Sequence, residues 1–321
     1  MKKRTGYLIV AAGVLLLIFT MNPRNIFSDV HFGFSFDTKK INEETTLAAD
    51  DFQDMILQTG STDIMVTKGN ADEIKVRLNG KVSSKYADQV KLKVEPNGDS
   101  LVLGVDEDHG IDLGINIMDI ELSVELPEKQ WAAANIESGS GEIEIGSIRG
   151  DEVTVKAGSG NVTVQHVNAG ELTVKTGSGN IEAEEIEAES VSLVSGSGQI
   201  SADRYHSTQL DFQNGSGNVE LKDGESALQG KTGSGNIRVD MERLIHDADL
   251  RTGSGNVSID LDEEPTSLEV DFQGSSGEGN IQLDGMRYEV KDEDRGRLKG
   301  TLGSGEFLLK VRTGSGNFKL E

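Results

Sequence analysis

The stretch Leu172-Thr173-Val174-Lys175-Thr176-Gly177-Ser178-Gly179-Asn180-Ile181-Glu182-Ala183 sets apolar side chains at alternate positions on both sides of a glycine corner. The corner Gly-Ser-Gly-Asn first stands complete at Gly158-Ser159-Gly160-Asn161. Complete or near copies begin at Gly139, Gly158, Gly177, Gly196, Gly215, Gly233 and Gly253, in steps of 19, 19, 19, 19, 18 and 20 residues. A period near 20 marks a stacked repeat.

The flanks keep register with the corner. Leu172 and Val174 precede Gly177 by five and three places, and Ile181, Ala183 and Ile186 follow it by four, six and nine. The same offsets give Ala134, Ile136, Ile143, Ile145 and Ile148 around Gly139, and Val153, Val155, Val162, Val164 and Val167 around Gly158. Alternate residues of a strand share a face. Each repeat therefore reads as two short strands joined at the corner, with an apolar face too small to be stable until the next coil covers it. The expected fold class is all-β: a single-stranded, β-helix-like β-solenoid of ~19-residue coils, with a strand-rich N-terminal cap and an N-terminal transmembrane helix. Glycine gives the corner a positive φ or a close backbone approach, and Asn tolerates the left-handed region or bonds its own backbone. On this reading Gly139, Gly158, Asn161, Gly177, Asn180, Gly196, Gly215, Asn218, Gly233, Asn236, Gly253, Asn256, Asn280, Gly314 and Asn317 are structural turn residues.

Only 5% of the 321 residues are aromatic, which suits thin coils filled by Val, Ile and Leu. The 31 basic against 55 acidic side chains give a net charge of −24, which argues against nucleic acid as a partner and keeps a repetitive surface soluble. The absence of cysteine excludes disulfides, thiol catalysis, cysteine-based zinc sites and lipid attachment through an N-terminal Cys.

Lys2, Lys3 and Arg4 precede an apolar run from Tyr7 to Phe19, and no small-x-small cleavage site follows before Met21-Asn22-Pro23-Arg24. Residues 1–22 are thus read as a basic tail and an uncleaved signal-anchor, a single pass through the cell membrane with the N-terminus cytoplasmic and the rest extracytoplasmic. Residues 23–40 form a juxtamembrane segment. Phe32, Phe34 and Phe36 alternate there, as an edge strand, as interfacial aromatics, or as a docking strip for a membrane-protein partner. Residues 41–130 read as a strand-rich cap and first coils, because Met55 and Leu57 before Gly60, and Ile64 and Val66 after it, repeat the coil offsets. Residues 131–321 read as regular coils with a C-terminal cap. Its irregular corners are Gly274-Ser275-Ser276-Gly277-Glu278-Gly279-Asn280, Gly303-Ser304-Gly305-Glu306 and Gly314-Ser315-Gly316-Asn317.

A basic-flanked N-terminal apolar segment, a strand-rich region ending at Leu126-Pro127, and tandem Ser-Gly-Ser-Gly or Thr-Gly-Ser-Gly-Asn repeats followed by Ile or Val resemble the bacterial putative-adhesin domain family. Within it the chain is most similar to LiaG-type membrane-anchored proteins of Gram-positive bacteria. The resemblance covers nearly everything beyond residue 40. It implies a β-solenoid held outside the membrane and, for the LiaG type, a place among the genes of a cell-envelope stress response. It carries no catalytic residues over.

The chemistry carried by the residues is sparse. Glycine-rich β-rolls that bind calcium use aspartate at the ligand position. Here the corner holds the neutral amides Asn161, Asn180, Asn218, Asn236 and Asn256, with Gln199 once, so calcium is disfavoured and a stacked Asn ladder is expected instead. The acids Glu182, Glu184, Glu185, Glu187 and Glu189 interleave with inward Ala183 and Ile186, as on a solvated face. His31, His109, His166, His206 and His246 form no two-histidine motif, and no phosphate loop is present. Trp131, the single tryptophan, is expected to pack where cap meets coils. The outward positions read mostly Thr, Lys, Ser, Gln and Glu, with no apolar or aromatic row. Together these point to a protein that is not an enzyme and takes no cofactor. It acts in the envelope through protein contacts, or alternatively as an adhesin or wall-polymer-binding module.

Overall fold

Alternation in the sequence becomes alternation of burial in the structure, a computed structural model that describes residues 37–69, 72–107, 118–292 and 295–321. The proposed anchor and the Phe32, Phe34, Phe36 strip lie outside the described residues. Among the described residues no helix is long and apolar enough to cross a membrane. The unit described begins at Thr38 and is built of β-strands.

In the middle of the chain the strands Ile148–Ala157, Val162–Thr176, Ile181–Ser195 and Ile200–Ser216 lie parallel. Their partners stand 19 residues apart: Val153 opposes Leu172, Leu172 opposes Val191, and Val191 opposes Leu210. The interval shrinks to 18 where Val219 opposes Ile237 and widens to 20 where Leu228 opposes Ala248. Val153, Val155, Val162, Val164, Leu172 and Val174 are completely buried. That burial is complete only because the next coil covers each apolar face, so no coil has a core of its own.

Large side chains are accommodated by small ones on the next coil. Phe212 opposes Gly230, where any Cβ would overlap its ring, and the Tyr205 ring occupies the space a side chain at Gly224 would need.

Both ends depart from chain order. At the N-terminal end the coil of Asp54–Thr59 and Asp63–Lys68 sits directly on Trp131–Ser138 and Ile143–Ile145, with Met55 opposite Ala134 and Ile64 opposite Ile143. Its other side is covered by later residues, the strands Ser100–Glu107 and Met118–Leu126. Antiparallel strands Glu73–Ser83, Thr38–Ala48 and Val90–Asn97 then finish that end. Trp131 is buried, and the Lys129 ammonium lies 4.4 Å from its ring centroid while donating to the carbonyl of Ala49.

At the C-terminal end the last coil, Phe307–Ser315 and Phe318–Leu320, is not last in space. It lies between the coil of Ala248–Ser254 and Val257–Leu261 and that of Leu268–Ser276 and Gly279–Ile281. The outer coil is finished by the antiparallel strands Arg297–Leu302 and Arg287–Asp292. Gly303-Ser304-Gly305-Glu306 is consequently no corner of the repeat, although its sequence imitates one. It is the crossover that carries the chain past Thr266 and Ser267 from the outer to the inner side of Leu268–Ser276. Glu306 N–H donates to Ser267 Oγ at 2.8 Å, and Gly303 adopts φ +59 against the Thr266 carbonyl.

Candidate functional site

At the glycine corner the first glycine of each coil lies over the first glycine of the coil beneath. A Cβ on Gly233 would stand 2.5 Å from the Gly215 carbonyl oxygen, and one on Gly158, Gly177, Gly196 or Gly314 would come closer still to its own lower neighbour. Contact between coils, rather than conformation, selects these glycines.

The Asn side chains form a ladder that crosses coils. Asn161 Oδ1 accepts the Asn180 N–H at 2.9 Å, and Asn180 Oδ1 accepts that of Gln199 at 2.8 Å. Asn218, Asn236 and Asn256 do the same for Asn236, Asn256 and Asn317 at 3.0, 2.9 and 2.8 Å. The amide oxygens that a cation would need are already engaged by backbone. Among the described residues no group of three or more His, Asp or Glu side chains could hold a metal ion.

Asn280 does not join this ladder. Asn317 Oδ1 accepts the Glu278 N–H at 3.0 Å, and Asn280 stands two places further on, opposite Lys319. The pairing of Ile281 with Leu320 fixes that register, and Gly279 is glycine because the Phe272 ring fills its Cβ position.

A second ladder runs inside the corner. Thr176 Oγ1 donates to the Gly160 carbonyl at 2.9 Å and accepts the Gly179 N–H at 3.1 Å, and Ser195 repeats both bonds at 2.9 Å to the Gly179 carbonyl and the Gly198 N–H. The sequence carries its signal in the residue before the first glycine: Thr59, Ser138, Thr176, Ser195, Asn214, Thr232, Thr252 and Thr313, interrupted by Ala157. These buried polar groups satisfy corner backbone that would otherwise be orphaned.

The opposite corner is charged. His166, Glu185, Arg204 and Asp223 have φ of 49, 54, 50 and 47, and they follow one another up the stack. His166 Nε2 lies 2.8 Å from Glu185 Oε2, and Arg204 pairs with Glu184, Glu185 and Asp203. Further along the same face Asp240, Asp260 and Glu321 gather around Arg238, whose guanidinium is 3.1 Å from Asp240 and 3.0 Å from Asp260. Burial, and then hydrogen bonding with Glu321 and Asp240, push the Asp260 carboxyl up to about 6.

On the strand face ahead of the glycine corner the outward residues two places before the first glycine, Lys156, Lys175, Val194, Gln213, Lys231, Arg251 and Arg312, fall in one column, which Gln273, opposite Arg312, and Arg297, opposite Gln273 on an antiparallel strand, continue. Five cations, Lys231, Arg251, Arg295, Arg297 and Arg312, line an open groove of about 710 Å³ together with Thr232, Thr252 and Gln273. Asp249 holds Arg251 through Nε and Nη2 at 2.9 and 2.8 Å, and Asp271 holds Arg312 at 2.8 Å. Lys231 and Arg297 have no carboxylate partner among the described residues. The recurrence of Lys or Arg two places before the glycine was visible in sequence. The contribution of Arg297 and the order of the rungs were not, because both depend on the crossover.

No curated protein matches the chain. A crystal structure described as a putative lipid binding protein from Parabacteroides distasonis is 14% identical, aligns over 87% of this chain and 97% of its own, and gives a TM-score of 0.50. A putative adhesin from Bacteroides fragilis is 14% identical over 88% of this chain and 97% of its own at TM-score 0.47. Another from Parabacteroides distasonis is 13% identical over 88% and 98% at 0.44. At such identity the likeness concerns the fold alone. The profile of the family described as Toastrack DUF4097 matches residues 52–321, from the coil at Gly60 to the last strand. The chain therefore belongs to the Toastrack DUF4097 family.

Proposed function

We propose that this chain is a non-enzymatic binding module, an adhesin or wall-polymer-binding β-solenoid, held outside the cell membrane by its N-terminal segment. The supporting observation is the outward column from Gln213 to Arg297. Its side chains project in strand register, roughly 4.8 Å from rung to rung, and the cations converge in a chain whose net charge is −24. A regular row of like groups suits a ligand that is itself repetitive. The test is capture from intact cells by the full-length chain carrying a C-terminal affinity tag, with cross-linking and mass spectrometry. Recovery of wall or surface polymer supports the reading, and its absence with one or two membrane proteins in its place would sink it.

That second outcome would favour the other reading, a contact protein of the envelope-stress response. It draws on the LiaG-type resemblance and on the alternating Phe32, Phe34 and Phe36 beside the apolar segment. Replacing those three with Ser would then abolish recovery of the membrane partner.

A further inference from the structure

We propose that the groove lined by Lys231, Arg251, Arg312 and Arg297 binds the phosphate groups of a linear polyanion laid along the stack, across the strands. This inference deepens the reading of the chain as a binding module and rests on it. Three features point to an anion. Among the described residues the groove gathers five basic side chains and no carboxylate. Asp249 stands two places before Arg251 on its own strand, and Asp271 stands on the neighbouring strand opposite Lys310, so the guanidiniums of Arg251 and Arg312 are fixed in direction. Arg251 donates to Asp249 only through Nε and Nη2, which leaves Nη1 for an oxyanion. Beyond Thr232, Thr252 and Thr313 the wall is Gly253, Gly274, Ser275 and Gly314, so only small side chains stand beside the cations there.

Two features point to a linear ligand with closely spaced charges. Lys231, Arg251 and Arg312 stand on successive rungs, and Arg297 stands two rungs further, beyond Gln273. The row thus spans roughly 19 Å at the spacing of adjacent strands. It exists only because the last coil is intercalated. In chain order Arg251 would be followed by Gln273, and Arg312 enters between them with the coil Phe307–Ser315. Planar guanidinium forks match the oxygens of phosphate better than an ammonium does, and arginine supplies three of the four rungs that carry charge.

The test is titration of the full-length chain with a linear sodium polyphosphate long enough to span the row, at low salt, alongside inorganic phosphate and a hexagalacturonate that spaces carboxylates along a sugar chain. Expected is saturable binding of the polyphosphate, at least about tenfold tighter than inorganic phosphate. The double variant K231E/R297E, at two exposed positions, should weaken it by about tenfold or more. Lys175→Glu, a single charge reversal three rungs from Lys231 on the same column, should leave it within about twofold, with the melting temperature confirming that every variant folds. No saturable binding, equal binding by K231E/R297E, or a preference for hexagalacturonate would each overturn the phosphate assignment. The two proposals fail separately. A K231E/R297E chain that still captures wall polymer from cells removes this groove and leaves the binding module standing, whereas loss of polymer capture by the parent chain removes both.

Discussion

The two corners of each coil bend the chain through the same stack with opposite residue choices. At one, Gly177, Gly179 and their equivalents have no unusual φ in the middle coils, yet a Cβ on any of them would enter the backbone of the coil beneath. At the other, the left-handed conformation that favours glycine is held by His166, Glu185, Arg204 and Asp223. The difference shows that glycine here answers an intermolecular-like contact between coils. Where the backbone is unusual but the space is open, side chains are kept, and they are charged. One corner is specified by what lies below it, the other by what can be reached beside it.

The largest effect should follow from placing a methyl group at the glycine corner. In Gly179→Ala the new Cβ meets the carbonyl oxygen and carbon of Gly160, and 2.9 Å away the nitrogen of Asn161, all of them backbone that no rotamer change can clear. The coils must separate locally, which costs about 3 kcal/mol or more. Ser178→Ala, one residue earlier and exposed, should change stability by less than about 0.5 kcal/mol. Urea denaturation followed by far-ultraviolet circular dichroism compares the two. A Gly179→Ala midpoint close to the parent's would break the contrast between corners.

The charged side should respond to pH where the glycine corner does not. Asp260 has its carboxyl raised from 3.8 to about 6, chiefly by burial. Between those values the folded chain holds the proton more tightly than the unfolded one. The contribution is therefore complete at low pH and is lost as pH rises through about 6. Glu321 is shifted the other way, held down by Lys319 and by Asp260, so its contribution is present above its unfolded value and is lost as pH falls through its lowered one. Glu321 therefore adds no slope between pH 5 and pH 7, and the solvent beside Asp260 keeps the effect to about 1 kcal/mol. Stability should fall from pH 5 to pH 7 in the parent and fall less in Asp260→Asn. Parallel curves would show that Asp260 does not titrate differently on folding.

Smaller again is the outer amide ladder. Asn180→Ala leaves the Gln199 N–H without its acceptor at an exposed position where water can replace it, a loss of about 0.5–1 kcal/mol. Hydrogen exchange at Gln199, read by NMR, should quicken, while exchange at Gly198, bonded to Ser195 Oγ in the inner ladder, should not.

The middle of the fold was legible because its signals are local and repeated. Alternation around Gly177 gives the inward set Leu172, Val174, Ile181 and Ala183, and a period of 19 places Val174 opposite Leu193. The ends were not legible, because intercalation is decided by which surfaces remain uncovered. Gly303-Ser304-Gly305-Glu306 has the composition of a corner and the role of a crossover. Asn280 has the identity of a ladder residue, but the Phe318 and Leu320 pairing sets it two places off. The hydroxyl ladder at Thr176 and Ser195 was readable in principle, as a recurring residue before the glycine. The candidate groove was only half readable, since Lys231, Arg251 and Arg312 share an offset while their adjacency depends on the crossover. The charged corner gave no sequence signal, because His166, Glu185, Arg204 and Asp223 share a register but no residue type, and Glu and Arg are not residues the left-handed region favours.

That corner supplies the smallest prediction and the one with the opposite sign. His166 stands at φ 49, which costs a side chain about 1–2 kcal/mol relative to glycine. His166→Gly recovers this cost. It also loosens the unfolded chain by about 0.5–1 kcal/mol and removes an exposed pairing with Glu185 that is worth a few tenths at most. The balance is a gain of about 0.5 kcal/mol, so an added glycine should stabilise one corner while a lost glycine unfolds the other. The measurement is a melting curve of His166→Gly beside that of the parent. A clear loss of stability would mean that His166 packs against its neighbours in the stack well enough to outweigh its backbone strain. The two corners would then differ in degree and not in kind.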